Sequence, residues 1–170
     1  MSGTALELIR WTVTSGSSVQ SRGAVVMAAG GRQWDASAEG NGPIDALYRA
    51  VDRALEEVLE GEPRLLAYDI HALAEGPDAE GEVRVEVGPP AGAEGARAAG
   101  RWAATARSTN IVAASISAYV DALNQMLGEA PWARAAADAA GRLPAEAPAA
   151  RRAELDEDEG GPDVVAWFER

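Results

Sequence analysis

Two stretches of this chain carry the same helical register, and each follows three short segments that alternate in the manner of strands. Residues 44–55 read IDALYRAVDRAL and residues 112–123 read VAASISAYVDAL. The order βββα, met twice, restricts the chain to a duplicated α+β domain, with two antiparallel three-stranded sheets and one helix on each. The repeats span about residues 5–60 and 64–127, and together they make one domain over residues 1–127.

Strands are expected at residues 5–14, 23–29 and 32–38, with a two-residue hairpin at Gly30-Gly31. In the first of these, Ala5, Ile9, Trp11 and Val13 should share one face. A helix from Pro43 to about Glu60 follows, stopped by Gly61 and Pro63. The second unit repeats the plan with strands at 65–74, 82–87 and 101–107 and a helix at about 110–127. Leu66, Tyr68, Ile70 and Ala72 should share a face of its first strand, and the stretch 88–100 reads as a mobile loop.

The second helix is apolar nearly all round. Val112, Ile116, Tyr119, Val120 and Leu123 form a stripe, and Ala113, Ala114, Ser117, Ala118 and Ala122 form a small-residue face. A helix apolar on both sides is buried on both sides. Its second side has two candidate partners, another subunit or the first helix of its own chain. Another subunit is the expectation, which makes the domain dimeric.

Between the third strand and the first helix stands Gly40-Asn41-Gly42-Pro43. Proline suits the first turn of a helix, and the glycines leave the helix N-terminus bare. Such an end offers unpaired N–H groups and partial positive charge. It is either a plain strand-to-helix turn or a seat for a small carboxylate. Phosphate is disfavoured, because no lysine or arginine lies in the loop. Leu65, Tyr68 and Ala72, on the strand that opens the second unit, could receive an apolar side chain.

Composition removes other classes. The 170 residues include no cysteine and one histidine, His71, which excludes thiolate and multi-histidine metal sites. A net charge of −12 argues against a nucleic-acid partner. No apolar run approaches the roughly 18–20 residues of a membrane span. The start, Met1-Ser2-Gly3-Thr4, has no signal-peptide character. A soluble, cytoplasmic protein without membrane partners is expected. No nucleophile elbow, P-loop or dinucleotide fingerprint occurs. Asp69 and His71 could pair on one strand face, yet no hydroxyl nucleophile is placed beside them, so no catalytic residue, metal or cofactor is expected.

From residue 128 the chain becomes rich in proline and alanine and then acidic (ELDEDE at 154–159), the composition of a largely disordered tail. A short helix at 133–140 is compatible with it. The apolar tip Val164, Val165, Trp167 and Phe168 is either a docking peptide or an idle terminus.

Four blocks in order resemble a known family: Gly40-Asn41-Gly42-Pro43-Ile44-Asp45-Ala46, then Leu65-x-x-Tyr68-x-x-x-Ala72, then Gly76-Pro77-Asp78-Ala79, then Ser108-Thr109-Asn110-Ile111-Val112-Ala113-Ala114-Ser115. Over about residues 6–127 the chain is similar to the C-terminal regulatory domain of 2-isopropylmalate and citramalate synthases. That resemblance implies a dimerising βββα pair that binds an end-product amino acid, leucine or isoleucine, and inhibits a catalytic barrel. The ligand residues it implies are Gly40, Asn41, Gly42, Ile44, Asp45, Leu65, Tyr68, Ala72 and Ala79. The barrel with its metal ligands has no counterpart in these 170 residues. The resemblance therefore implies a stand-alone, non-catalytic domain, with leucine the expected ligand and a separate catalytic synthase subunit a further candidate partner. Pro77 stands where many relatives carry a polar residue. The alternative reading is a dimerisation or partner-docking protein that has lost ligand binding.

Overall fold

The computed structural model describes residues 5–134. Alternating β-branched segments form β1 (Glu7–Gly16), β2 (Val19–Ala29) and β3 (Arg32–Gly40), paired antiparallel in the order β1-β2-β3. The second unit forms β4 (Arg64–Ala72), β5 (Gly81–Gly88) and β6 (Trp102–Ser108), in the order β4-β5-β6. Helix α1 (Pro43–Ala54) lies on β2 and β3, and helix α3 (Ile111–Gly128) lies on β5 and β6. The two sheets stay separate, and the helices join them.

The expected first helix is interrupted. It breaks at Leu55, whose N–H reaches the carbonyls of both Val51 and Asp52 at 3.1 Å. A one-turn helix α2 (Glu56–Leu59) then ends at Glu60 in the left-handed conformation, φ 50°. Trp34 of β3 explains the break locally, because its indole N–H donates to the Ala54 carbonyl at 2.9 Å and so ends the α1 ladder.

Each unit's first strand carries a β-bulge at a corresponding place, between Leu8 and Arg10 in β1 and between Leu65 and Ala67 in β4. The extra residue resets the alternation. In β1, Leu8, Trp11 and Val13 stand opposite Met27, Val25 and Gly23, while Ile9 is 47% exposed. The expected set Ala5, Ile9, Trp11 and Val13 is corrected accordingly. In β4, Leu65 rather than Leu66 stands opposite the core residue Val87, in line with Tyr68, Ile70 and Ala72 opposite Val85, Val83 and Gly81.

Helix α3 is buried on nearly every side within one chain. Ala114, Ala118 and Ala122 of the small-residue face are almost wholly buried within the one chain, Ser117 is exposed, and α1 is met by Tyr119 of the apolar stripe. The Tyr48 and Tyr119 rings stack across this contact at 4.0 Å. Asn124 adds a second tie by exchanging two hydrogen bonds with the backbone of Leu6, at 2.7 and 2.9 Å.

In the stretch 88–100, Pro89 and Pro90 are buried and Gly95–Arg97 forms one 3-10 turn, while most of residues 91–100 are exposed. The chain remains packed past Leu127. Residues 130–134 are helical, Trp132 is 1% exposed, and Arg97 lies 5.5 Å above its ring. The tail from 135 onward, with its expected disorder, most of the expected 133–140 helix and the Trp167-Phe168 tip, lies outside the described residues.

Candidate functional site

Strand β3 ends at Gly40, which pairs with Ser21 of β2 and is buried beneath the first turn of α1. A Cβ at Gly40 would collide with the backbone nitrogen of Ala46, so this glycine is what lets helix and strand meet. Gly42 differs. It is the N-cap of α1 in an extended conformation, φ −165°, and a Cβ there would meet nothing within 4 Å.

No side chain caps α1. The Ala46 N–H closes the first helical bond to the Gly42 carbonyl at 3.0 Å. Pro43 has no N–H to leave unpaired, and the N–H groups of Gly42, Ile44 and Asp45 have no partner among the described residues. One donor of the expected anion seat is already used. The Asp45 carboxylate turns back to accept the Asn41 N–H at 2.9 Å, and Arg49 donates to the same carboxylate at 3.0 Å. The Asn41 N–H is the main cause that holds the Asp45 carboxyl below its usual range; Arg49 lowers it further, and partial burial opposes both.

Helix α3 solves the same problem differently. Asn110 caps it, its side-chain oxygen accepting from the N–H groups of Val112 and Ala113 at 3.0 and 3.3 Å. The duplicated fold therefore has one closed helix N-terminus and one open one, and the open one follows Gly42.

Three more of the expected residues, Leu65, Tyr68 and Ala72, lie on β4. Val83, Val85 and Val87 are fully buried beneath α3, and directly opposed residues of an antiparallel pair project to the same side. Leu65, Tyr68, Ile70 and Ala72 thus belong to the core-facing side. Even so, Leu65 is 49% and Ile70 45% exposed. The strand lies at the sheet edge, where no Cα atom of α3 comes within 8 Å, so apolar surface stays uncovered on both sides of Tyr68. Ala79 is half-buried and follows the turn closed by its own N–H to the Gly76 carbonyl at 3.2 Å. Ala72 pairs with Gly81, and Gly81 lies directly under the Ile111 side chain at the start of α3.

The nine expected residues therefore fall into two groups. Gly40, Asn41, Gly42, Ile44 and Asp45 surround the open end of α1, and Leu65, Tyr68, Ala72 and Ala79 lie along the uncovered edge. The Cα atoms of α1 and β4 nowhere approach within 8 Å. Side chains bridge the gap: Tyr48, one turn into α1, meets Tyr68 edge-on with ring centroids 6.4 Å apart. The Tyr68 and Ser115 hydroxyls add a 2.7 Å bond to this bridge, and neither Tyr48 nor Ser115 was among the expected site residues. The available signal was a serine within a largely apolar helix.

A separate groove of about 690 Å³ runs along the outer side of α1, lined by Arg22, Arg49, Asp52 and Arg53 among others. None of the nine residues lines it. One Asp52 oxygen accepts the Tyr119 hydroxyl at 2.6 Å, and burial pushes the Asp52 carboxyl up to about 7, opposed by that bond. Charge fills the groove, and its lining suits an aliphatic ligand poorly. His71 is exposed, opposite Glu82 on β5. Among the described residues no cluster of histidine and carboxylates could hold a metal, and no helix is long and apolar enough to cross a membrane.

The family model described as the LeuA allosteric (dimerisation) domain matches residues 2–127. The chain is 41% identical to a 2-isopropylmalate synthase of Salinibacter ruber over 90 residues, 53% of this chain and 14% of that protein. It is 34% identical to a 2-isopropylmalate synthase of Aquifex aeolicus over 122 residues, 72% of this chain and 21% of that protein. A putative (R)-citramalate synthase of Methanoculleus marisnigri matches at 32% over 127 residues, 73% of this chain and 23% of that protein. The chain thus spans less than a quarter of the length of each of these relatives.

Proposed function

The chain belongs to the LeuA allosteric (dimerisation) domain family, and from that membership we propose a non-catalytic regulatory module that binds a branched-chain amino acid, leucine foremost. It acts as a homodimer in feedback control of a 2-isopropylmalate synthase-type enzyme. The observation that carries the reading is the uncapped N-terminus of α1 beside the open space at Gly42. The ligand's carboxylate takes the free N–H groups of Gly42 and Ile44. Its ammonium faces the Asp45 carboxylate, which stays ionised.

A helix terminus contributes about 0.3–1 kcal/mol to an exposed anion and up to about 2 kcal/mol when partly buried. The larger share comes from the aliphatic side chain on Leu65, Tyr68, Ala72 and Ala79, where burying one branched group is worth roughly 1.5–3 kcal/mol. A second chain covering the β4 edge would complete the enclosure. Coupling of about 1–3 kcal/mol between this site and a catalytic subunit suffices for control.

Thermal melting with leucine, isoleucine, valine or no addition tests the reading. A ligand at about 100 times its dissociation constant adds roughly 2.7 kcal/mol of stability. Unshifted melting with all three would remove ligand binding and leave the second reading, a dimerisation or docking protein. The Asp45 bond to Asn41 favours that alternative, since it satisfies one loop donor from within.

A further inference from the structure

All three tyrosines of the chain converge on one place. Tyr48 stacks on Tyr119 and meets Tyr68 edge-on. At the centre is Ser115, which is 0% exposed and, with Ser21, one of two buried polar residues among those described. Its hydroxyl donates to the Ile111 carbonyl at 2.7 Å, so toward Tyr68 the same oxygen can only accept. The Tyr68 hydroxyl is therefore the donor in the 2.7 Å bond between them. The Ser115 carbonyl accepts the Tyr48 hydroxyl at 2.9 Å.

Alanine would suit this helix position better. A serine bonded back to the carbonyl four residues earlier slightly destabilises a helix, and Ala114 and Ala118 already sit nearby in full burial. The Ser115 hydroxyl has one visible consequence: it fixes the phenol of an edge-strand residue whose neighbours Leu65 and Ile70 are half exposed. Without it, nothing else among the described residues holds the Tyr68 hydroxyl, and the ring is free to leave the Tyr48 edge and turn over the uncovered face.

We infer that Ser115 is a positioning residue for the amino-acid site: its hydroxyl orients Tyr68, and Tyr68 shapes the wall against which the ligand's aliphatic chain packs. This rests on the function proposed above. It adds a residue on α3 to a site otherwise drawn from the α1 terminus, β4 and the turn after it.

Calorimetric titration of leucine into the full chain and its variants tests the assignment. Ser115→Ala and Tyr68→Phe each weaken leucine binding about five- to tenfold, the equivalent of one net hydrogen bond. The double variant is no weaker than either single one, because both changes break the same bond. Tyr119→Phe removes a bond outside the proposed site, the one its hydroxyl donates to Asp52. It lowers the melting temperature but leaves leucine affinity within about twofold, which separates positioning from general stability. Should Ser115→Ala bind like the parent, or the two losses add, the assignment is overturned while the site stands. A parent chain that takes up neither leucine, isoleucine nor valine overturns the site, and the assignment with it.

Discussion

Gly40 and Gly42 lie in one loop, yet substitution should affect them in opposite ways. A Cβ at Gly40 runs into the Ala46 backbone, and neither β3 nor α1 can retreat without giving up core contacts. Gly40→Ala is expected to cost about 1–3 kcal/mol, read as a lower urea midpoint at unchanged slope. Gly42 has open space and an extended backbone, and aspartate is a good N-cap residue there. Gly42→Asp should leave the unliganded chain as stable as before, or more so by a few tenths of a kcal/mol, while removing any leucine-dependent shift in melting. A shift that survives this change would move the ligand's carboxylate away from α1. The sequence displayed both glycines and the proline, so the open helix end was legible in it. The use of the Asn41 N–H by Asp45 was not, because a side chain turning back across a loop leaves no periodic trace.

At the scale of elements, the contact between α1 and α3 should respond to pH. Asp52 is held by Tyr119 in partial burial, with its carboxyl raised to about 7 from an ordinary 3.8. The folded chain therefore keeps this proton where the unfolded chain has lost it. The associated stability is fully present below the unfolded value and is lost as pH rises through the folded one. Between about pH 5 and pH 8 the parent chain should lose on the order of 2–3 kcal/mol relative to Asp52→Asn, which keeps the Tyr119 bond without a charge. Paired urea melts at the two pH values read this difference, and parallel behaviour of the two chains would contradict it. Element type and order were readable because strand alternation and helical period survive in the residues. The bulges at Leu8–Arg10 and Leu65–Ala67 were not, since one inserted residue changes the facing of a strand without changing its composition. Which surface covers a helix face was not legible for a related reason: Ala114, Ala118 and Ala122, expected to face another subunit, are buried within the one chain. Periodicity reports that a face is buried, and says nothing of which surface buries it.

For the molecule as a whole, the packed chain is longer than the stretch matched by the family model. Trp132 lies beyond Leu127, 1% exposed, with Arg97 over its ring, and Trp102 donates to Glu129 at 2.8 Å. Trp132→Ala should cost about 3–5 kcal/mol, measurable as a fall in the urea midpoint; a change below about 1 kcal/mol would show that this segment does not brace the domain. Composition hid the segment, because an alanine-rich stretch before a proline-rich tail reads as uniform. The candidate site was legible as two separate sets of residues, and what joins them, Tyr48 and Ser115, became visible only once both helices were seen packed together. We propose that an aliphatic amino acid with a free carboxylate spans the open helix end and the uncovered β4 edge, which side chains link through Tyr48 and Tyr68. Calorimetric titration of leucine into the chain is the most direct test. The account predicts saturable binding that Gly42→Asp abolishes without loss of fold; an absence of binding heat with leucine, isoleucine and valine alike would contradict it.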